Sequence, residues 1–270
     1  MQYDPVKKTL GNIFNKAAWM RKLFYKLLDL LLLRAWYIKR EIKKLYRSRR
    51  NDEIQMLDAG CGYGQYDFFV SSYLKNSQIL GVDVKQEQID DCNQFFAKIG
   101  RGNRVKFQYA DLTEFSQPDT YDLVLSVDVM EHILEDEQVF RNLCQSLHKG
   151  GVLLISTPSD QGGSDVHDED EHSFIDEHVR DGYNIDDIER KLRAAGFSAV
   201  EAKYSYGTPG SIAWTLSMKW PIIMVNVSKI LLLLLIPYYI IVYPLAFILN
   251  WIDTITTHKT GTGLIVKAVK

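Results

Sequence analysis

The sequence predicts a doubly wound α/β domain, and three observations predict it. The run Met56-Leu57-Asp58-Ala59-Gly60-Cys61-Gly62-Tyr63-Gly64-Gln65 reads as the end of a buried strand, a glycine-rich turn and the start of a helix. About twenty residues later, Ile79-Leu80-Gly81-Val82-Asp83 is a second apolar run that closes on an acid. Val105 to Asp111 and Tyr121 to Ser126 repeat the pattern, with Asp111 again at a strand's carboxyl end. Near-continuous apolar runs are what strands of a parallel sheet covered on both faces look like, and such sheets bind ligands at their carboxyl edge.

The first element in the chain is a helix. From Leu10 to about Leu45 the residues Leu10, Ile13, Ala17, Met20, Phe24, Leu27, Leu31, Ala35, Ile38, Ile42 and Leu45 recur at alternating spacings of three and four. They fill one arc, and Arg21, Lys22, Lys26, Lys39, Arg40, Lys43, Lys44 and Arg47 fall mostly on the other side. Residues 1–50 hold 14 Lys and Arg against Asp4, Asp29 and Glu41, so a net charge of -2 conceals about +11 in front and about -13 behind. An apolar stripe opposite a basic face suits the headgroup plane of an anionic membrane, with Trp19, Trp36 and Tyr37 at the interface. The alternative is a helix packed on the domain with a solvated basic face. Leu30-Leu31-Leu32-Leu33 within the stripe argues against nucleic acid as the partner.

The glycine turn comes next. Glycine at 60, 62 and 64 lets backbone approach a ligand and adopt positive φ. Gln65 leaves the dinucleotide pattern Gly-x-Gly-x-x-Gly incomplete, which indicates a nucleoside without a pyrophosphate. Asp83, ending the second strand, stands where an acid bonds ribose hydroxyls. A fifth strand follows in Gly150-Gly151-Val152-Leu153-Leu154-Ile155-Ser156-Thr157-Pro158.

Taken in order and spacing, L-D-A-G-C-G-Y-G, G-V-D, A-D-L, Y-D-L-V-L-S and G-G-V-L-L-I-S-T-P resemble the class I S-adenosylmethionine-dependent methyltransferases, over roughly Asn51 to Phe197. The resemblance implies a Rossmann-like sheet of seven strands, the last inserted antiparallel. It also implies S-adenosylmethionine as cofactor. The glycine loop with Asp58 would hold the methionine part, Asp83 the ribose and Asp111 the adenine amino group. The cofactor residues implied are Asp58, Gly60, Cys61, Gly62, Gly64, Asp83, Val84, Asp111, Leu112 and Ser126.

On the acceptor side, Asp128-Val129-Met130-Glu131-His132 is similar to the acid-x-x-Glu-His of the ubiquinone-biosynthesis O-methyltransferases, with Asp in place of Glu at the first position. On a helix, positions i, i+3 and i+4 share one face. Asp128, Glu131 and His132 are therefore candidate ligands for Mg²⁺ or another divalent cation, or Glu131 and His132 orient an acceptor hydroxyl. The alternative is a pair that caps the next helix or closes the cofactor pocket. Ser159 to Asn184 is long for a loop and rich in His and acid, with His167, Asp168, Glu169, Asp170, Glu171, Glu177 and, as candidate general bases, His172 and His178. A solvated acidic run is the other meaning of residues 168–171.

The tail completes the plan. Phe197 to Tyr206 reads as a sixth strand and Gly263 to Lys270 as the last. Between them Ile230 to Ile252 carries no charge and is long enough to cross a bilayer. Two strands of one sheet would force residues 208–260 to leave and return on one side, as a re-entrant or in-plane hairpin that Pro221, Pro237 and Pro244 kink or break. A single span with a tail beyond it, or an apolar lid, are the alternatives. Cys61, Cys92 and Cys144 are an odd number without metal-type spacing, which indicates a reducing compartment. The expectation is a methyltransferase at the cytoplasmic face of a membrane, divided as 1–50, 51–207, 208–260 and 261–270. Its methyl group goes to a hydroxyl of an apolar small molecule, a quinone precursor, isoprenoid or polyketide phenol or lipid, with membrane lipids as further partners. A soluble glycan precursor as acceptor, or a non-catalytic membrane scaffold, are the competing readings.

Overall fold

Residues 17–162, 179–228 and 231–270 are described by a computed structural model of the chain. Two helices come first, α1 (Ala18–Leu31) and α2 (Leu33–Tyr46). The single helix expected up to Leu45 is thus corrected: Leu32 is extended, at φ -96° and ψ 106°, and separates the two. The break lets each half seat on its own ground. α1 buries Arg21 and Tyr25, while α2 buries Ala35, Tyr37, Ile38, Ile42 and Tyr46. Much of the predicted stripe is therefore spent on the domain itself. What α1 leaves exposed is Trp19, Leu23, Leu27 and Leu30.

The α/β alternation follows: β1 (Ile54–Ala59), α3 (Gln65–Tyr73), β2 (Ser77–Asp83), α4 (Gln86–Lys98), β3 (Val105–Tyr109) and β4 (Tyr121–Val127). After a 3₁₀ turn at Met130–His132 come α5 (Asp136–Ser146), β5 (Leu147–Pro158), α6 (Ile185–Ala194) and β6 (Ala199–Ser205). The strand order is β3-β2-β1-β4-β5-β7-β6, in which β7 is Gly263–Val269. β1 to β5 are parallel, and β7 runs antiparallel between β5 and β6. This is the seven-stranded, Rossmann-like doubly wound sheet with a final antiparallel strand. One face is covered by α1 to α4, through residues such as Tyr25, Ile38, Val70 and Phe96. The other is covered by α5 and α6, through Phe140, Leu143, Ile188 and Leu192. Strand order reverses between β1 and β4, so a crevice opens at their carboxyl ends.

The apolar insert consists of α7 (Thr208–Trp214), a π-helical turn (Thr215–Lys219), α8 (Trp220–Val227) and α9 (Leu232–Ile255). Its exit and return are neighbours, since Ser205 of β6 pairs with Gly263 of β7. The insert is a helical hairpin. Pro221 has no N–H for the Ser217 carbonyl, and the Trp220 N–H goes to Thr215 in the π turn, which frees the Leu216 carbonyl. Tyr239 and Tyr238 on α9 donate their hydroxyls to those two carbonyls, each at 2.7 Å. Of the kink or break expected at Pro237 and Pro244, the break does not occur: both lie inside a continuous α9. A helix of this length and composition can cross a membrane, with mean hydropathy 2.0 over Leu233–Ile255. Its outer side, including Leu233, Ile236, Ile240, Ile241 and Trp251, is exposed.

Candidate active site

The glycine loop joins β1 to α3. Gly60, Gly62 and Gly64 have φ of 86°, 50° and 72°, the left-handed region in which a side chain is strained. At Gly60 a Cβ would also lie 2.2 Å from Val129 Cγ2. At Gly62 the nearest atom to a Cβ is Gln88 Oε1 at 4.0 Å, so the space over this residue is open. Asp83, at the end of β2, holds the loop's shape: its Oδ2 accepts the Gly62 N–H at 3.0 Å and its Oδ1 the Lys85 N–H at 3.0 Å. Cys61 is buried, Val84 is exposed and Leu112 is buried in the crevice wall. Asp111 is exposed, and its Oδ1 accepts from the Thr113 N–H and hydroxyl in a local turn. The three cysteines are free and buried.

Beneath the loop lie two carboxyls. Asp58 ends β1, and Asp67 is in the first turn of α3; both are buried. Asp58 Oδ2, both oxygens of Asp67 and the Ser126 hydroxyl have no hydrogen-bond partner among the described residues. Orphaned buried acceptors mark where a polar ligand belongs. Acids in no ion pair favour a cationic one, and S-adenosylmethionine carries both an ammonium and a sulfonium. The residues present thus fit this cofactor.

Burial pushes the Asp67 carboxyl up to about 7, and burial together with neighbouring Asp67 raises that of Asp58 well above the usual range. Such groups stabilise the fold fully below the unfolded-state value near pH 4, and that contribution is lost as pH rises through the folded-state value. As pH rises from about 4 to 7, the Asp58–Asp67 pair is therefore expected to lower the stability of the unliganded protein. Denaturant unfolding across that range measures this. Stability that does not fall, or an Asp67→Asn variant with the wild-type slope, would contradict it.

Helix α1 closes over the loop. Arg21, expected on a solvated basic face, is corrected to a buried position: its guanidinium donates to the Tyr63 carbonyl at 2.9 Å, the Asp91 carbonyl at 3.3 Å and Cys92 Sγ at 3.0 Å. It also lies 4.8 Å from the Phe95 ring centroid. Tyr25 donates its hydroxyl to the same Tyr63 carbonyl, and Gln65 Nε2 donates to Asp29 Oδ1 at 2.7 Å. Every one of these contacts pins α1 to the loop, to the start of α3 or to α4 behind it.

The acceptor side differs most from expectation. Asp128, Glu131 and His132 are not on one helix face. Asp128 has φ 53°, and only Met130–His132 form a single 3₁₀ turn. With about 3.0 residues per turn and a left-handed residue in front, the three side chains diverge. Asp128 Oδ2 takes Arg34 Nε of α2 at 2.8 Å. Glu131 is buried, and its Oε2 accepts the Thr157 hydroxyl at 3.1 Å. His132 is exposed. No group of three His, Cys, Asp or Glu among the described residues is arranged to hold a metal, so the expected cation site is corrected. Burial, then Asp128, pushes the Glu131 carboxyl up to about 8. Beside it, the Arg34 N–H donates to the Tyr206 hydroxyl at 3.1 Å, and the buried Tyr66 hydroxyl has no partner among the described residues.

His172 and His178, with the acidic run 167–171 and Glu177, lie outside the described residues. Sequence reasoning passed over Arg34, Tyr66, Asp67 and Tyr206. A signal for Asp67 was available, since it is an acid inside the apolar run Tyr66–Val70.

With this geometry in view, a family model described as the methyltransferase domain matches residues 50–196, more than half of the chain. The chain belongs to that family. Phosphoethanolamine N-methyltransferase of Triticum aestivum is 30% identical over 150 residues, 55% of this chain and 29% of that protein. Ubiquinone biosynthesis O-methyltransferase of Rickettsia prowazekii is 28% identical over 127 residues, 46% of this chain and 47% of that protein. The chain thus spans less than half the length of these relatives. Haemonchus contortus phosphoethanolamine N-methyltransferase 2, solved in complex with S-adenosyl-L-methionine, superposes with a TM-score of 0.61 at 22% identity, covering 86% of this chain and 52% of that one. The fold is that of the S-adenosylmethionine-dependent methyltransferases.

Proposed function

We propose that this chain is a membrane-docked methyltransferase that moves the sulfonium methyl group of S-adenosylmethionine to a hydroxyl of an apolar small molecule, at the cytoplasmic face of a membrane. The observation that carries the reading is the two-sided helix α1. One side clamps the glycine loop through Arg21 and Tyr25, and the other exposes Trp19, Leu23, Leu27 and Leu30. The hairpin continues that apolar surface, since Tyr243 of α9 donates its hydroxyl to the Leu30 carbonyl at 3.0 Å.

The cofactor supplies an activated methyl group; the chain's own residues orient and shield. Gly60, Gly62 and Gly64 provide the backbone cradle. Asp58 and Asp67 place two buried carboxyls under it that a cationic ligand would draw into their charged form, and Asp83 fixes the loop while each of its oxygens keeps a lone pair to meet a ribose. Arg34, tied to Asp128, sits with Tyr66 and Tyr206 where an acceptor would lie. Glu131, a buried carboxyl in the electrostatic neighbourhood of Asp128 and Arg34 and in no ion pair among the described residues, takes the role of proton acceptor in this reading.

Two measurements test it. The full-length protein, given methyl-labelled S-adenosylmethionine and an organic extract of its source cells, is expected to label the apolar fraction; label confined to water-soluble products would refute the acceptor class. A reporter active only in the cytosol and fused after Lys270 should be active, because β7 returns to the sheet beside β6. Activity of an externally active reporter instead would sink the hairpin and the docking surface with it.

A further inference from the structure

Between α2 and the C-terminal half of α9 runs an open groove of about 990 Å³ whose two walls differ in chemistry. One wall is apolar, made of Phe247, Trp251 and Ile255 of α9, and Leu30 of α1 and Trp36 of α2 extend it. Trp36 and Phe247 meet edge to face with centroids 4.8 Å apart, and this wall continues into the exposed Leu245 and Ile248 of the hairpin. The other wall is cationic, made of Lys39, Arg40, Lys43, Lys44, Arg47 and Arg50. Their spacing of three and four keeps most of these charges on one side of α2.

Asp29 is the single acid in the lining, and Lys39 pairs with it. Lys44 pairs with Glu41 at 2.9 Å, and Arg40 donates to the Thr254 carbonyl. Among the described residues, Lys43, Arg47 and Arg50 are in no ion pair. Two of these cations are nevertheless held in place: Lys43 Nζ lies 5.8 Å from the Phe69 ring centroid and the Arg50 guanidinium 4.4 Å from that of Tyr73. Stems resting on aromatic rings keep charged heads gathered at the groove instead of spread in water.

A free phosphate would use one wall and leave Trp251 and Ile255 wet, and an apolar chain alone would leave the cations uncompensated. A ligand with an anionic head and a hydrocarbon tail matches both. We infer that the groove is a binding site for an acidic phospholipid, its headgroup phosphate against Lys43, Arg47 and Arg50 and an acyl chain along Trp36, Phe247 and Trp251. The inference rests on the membrane docking proposed above and adds to it a site with lipid selectivity. Docking by the hairpin is indifferent to headgroup charge; the groove is not.

The test uses full-length protein and flotation on vesicles of phosphatidylcholine alone and of phosphatidylcholine mixed with phosphatidylglycerol. Wild type is expected to bind both, and the mixed vesicles more tightly. Lys43→Gln with Arg47→Gln should lose about five-fold per charge removed on mixed vesicles and nothing on phosphatidylcholine, with S-adenosylhomocysteine affinity retained as proof of folding. Arg190→Gln with Arg193→Gln, which removes the same charge from exposed positions on α6, should bind like wild type. An equal loss in that control, or no loss in the groove variant, overturns the site. Displacement of wild type from mixed vesicles by soluble glycerophosphate would make the ligand a free phosphate and overturn the lipid assignment. Wild type that binds phosphatidylcholine without preferring the mixture defeats the groove alone; wild type that binds neither defeats the docking reading as well.

Discussion

Gly62→Ala is expected to lower affinity for S-adenosylhomocysteine by about 1–3 kcal/mol, roughly 5- to 150-fold, while the protein stays folded. A Cβ at this residue meets nothing in the protein closer than Gln88 Oε1 at 4.0 Å. The methyl group therefore intrudes on ligand space and not on the core. Its conformational cost, from a φ of 50°, is about 1–2 kcal/mol of stability. Gly150→Ala separates the two effects, because Gly150 has φ 81° and a Cβ there meets nothing within 4 Å. Both variants should lose similar stability, and only Gly62→Ala should lose binding. Calorimetric titration of the two decides it, and equal affinities would remove the loop from the cofactor site.

The second large effect is on stability. Asp253, near the end of α9, is fully buried; its carboxylate accepts the Tyr37 hydroxyl at 2.6 Å and the Gly210 N–H at 2.9 Å, and lies 3.2 Å from His258 Nε2. These contacts fasten α9 to α2, to α7 and to the segment that leads into β7. Asp253→Ala strands the Gly210 N–H in the interior and leaves the Tyr37 hydroxyl and His258 Nε2 only the Asp253 backbone carbonyl, at 2.7 and 2.9 Å, and the expected loss is about 2–4 kcal/mol. In a chain of this size that is a fall in melting temperature on the order of 10 °C. Tyr37→Phe removes one partner and should cost about 1.5–3 kcal/mol. Unfolding curves of both variants measure this. A loss under about 1 kcal/mol in Asp253→Ala would show that the base of the hairpin is not held by this carboxylate.

How much of this was legible in the chain depends on distance along it. The β1 loop, β2 ending at Asp83, and β4 and β5 were readable because a strand, its turn and its following helix are contiguous, and apolar periodicity reports them directly. The return of β7 to the sheet was readable by family resemblance, and its pairing with β5 and β6 bears that out. The single front helix was misread, since periodicity across Leu32 continues even though the backbone there is extended. Arg21 looked like one basic residue among many, but its partners Tyr63, Asp91 and Cys92 stand 42 to 71 positions away. Spacing within one helix cannot report such partners.

The acceptor side makes the same point more strongly. Asp128, Glu131 and His132 have a spacing that would converge on an α-helix; a positive φ at Asp128 and a 3₁₀ turn send them apart. The partner of Asp128 is Arg34, brought from α2 by packing. Local order, the class of fold and the position of the cofactor loop are properties of neighbours in sequence, and the residues alone suffice for them. The buried Asp58–Asp67 pair, the Arg34–Asp128 contact, the clamp of α1 on the loop and the cationic groove beside α9 join segments far apart in the chain. They exist only once burial has chosen which face of each helix meets the domain, a choice among similar apolar stripes that long-range packing makes.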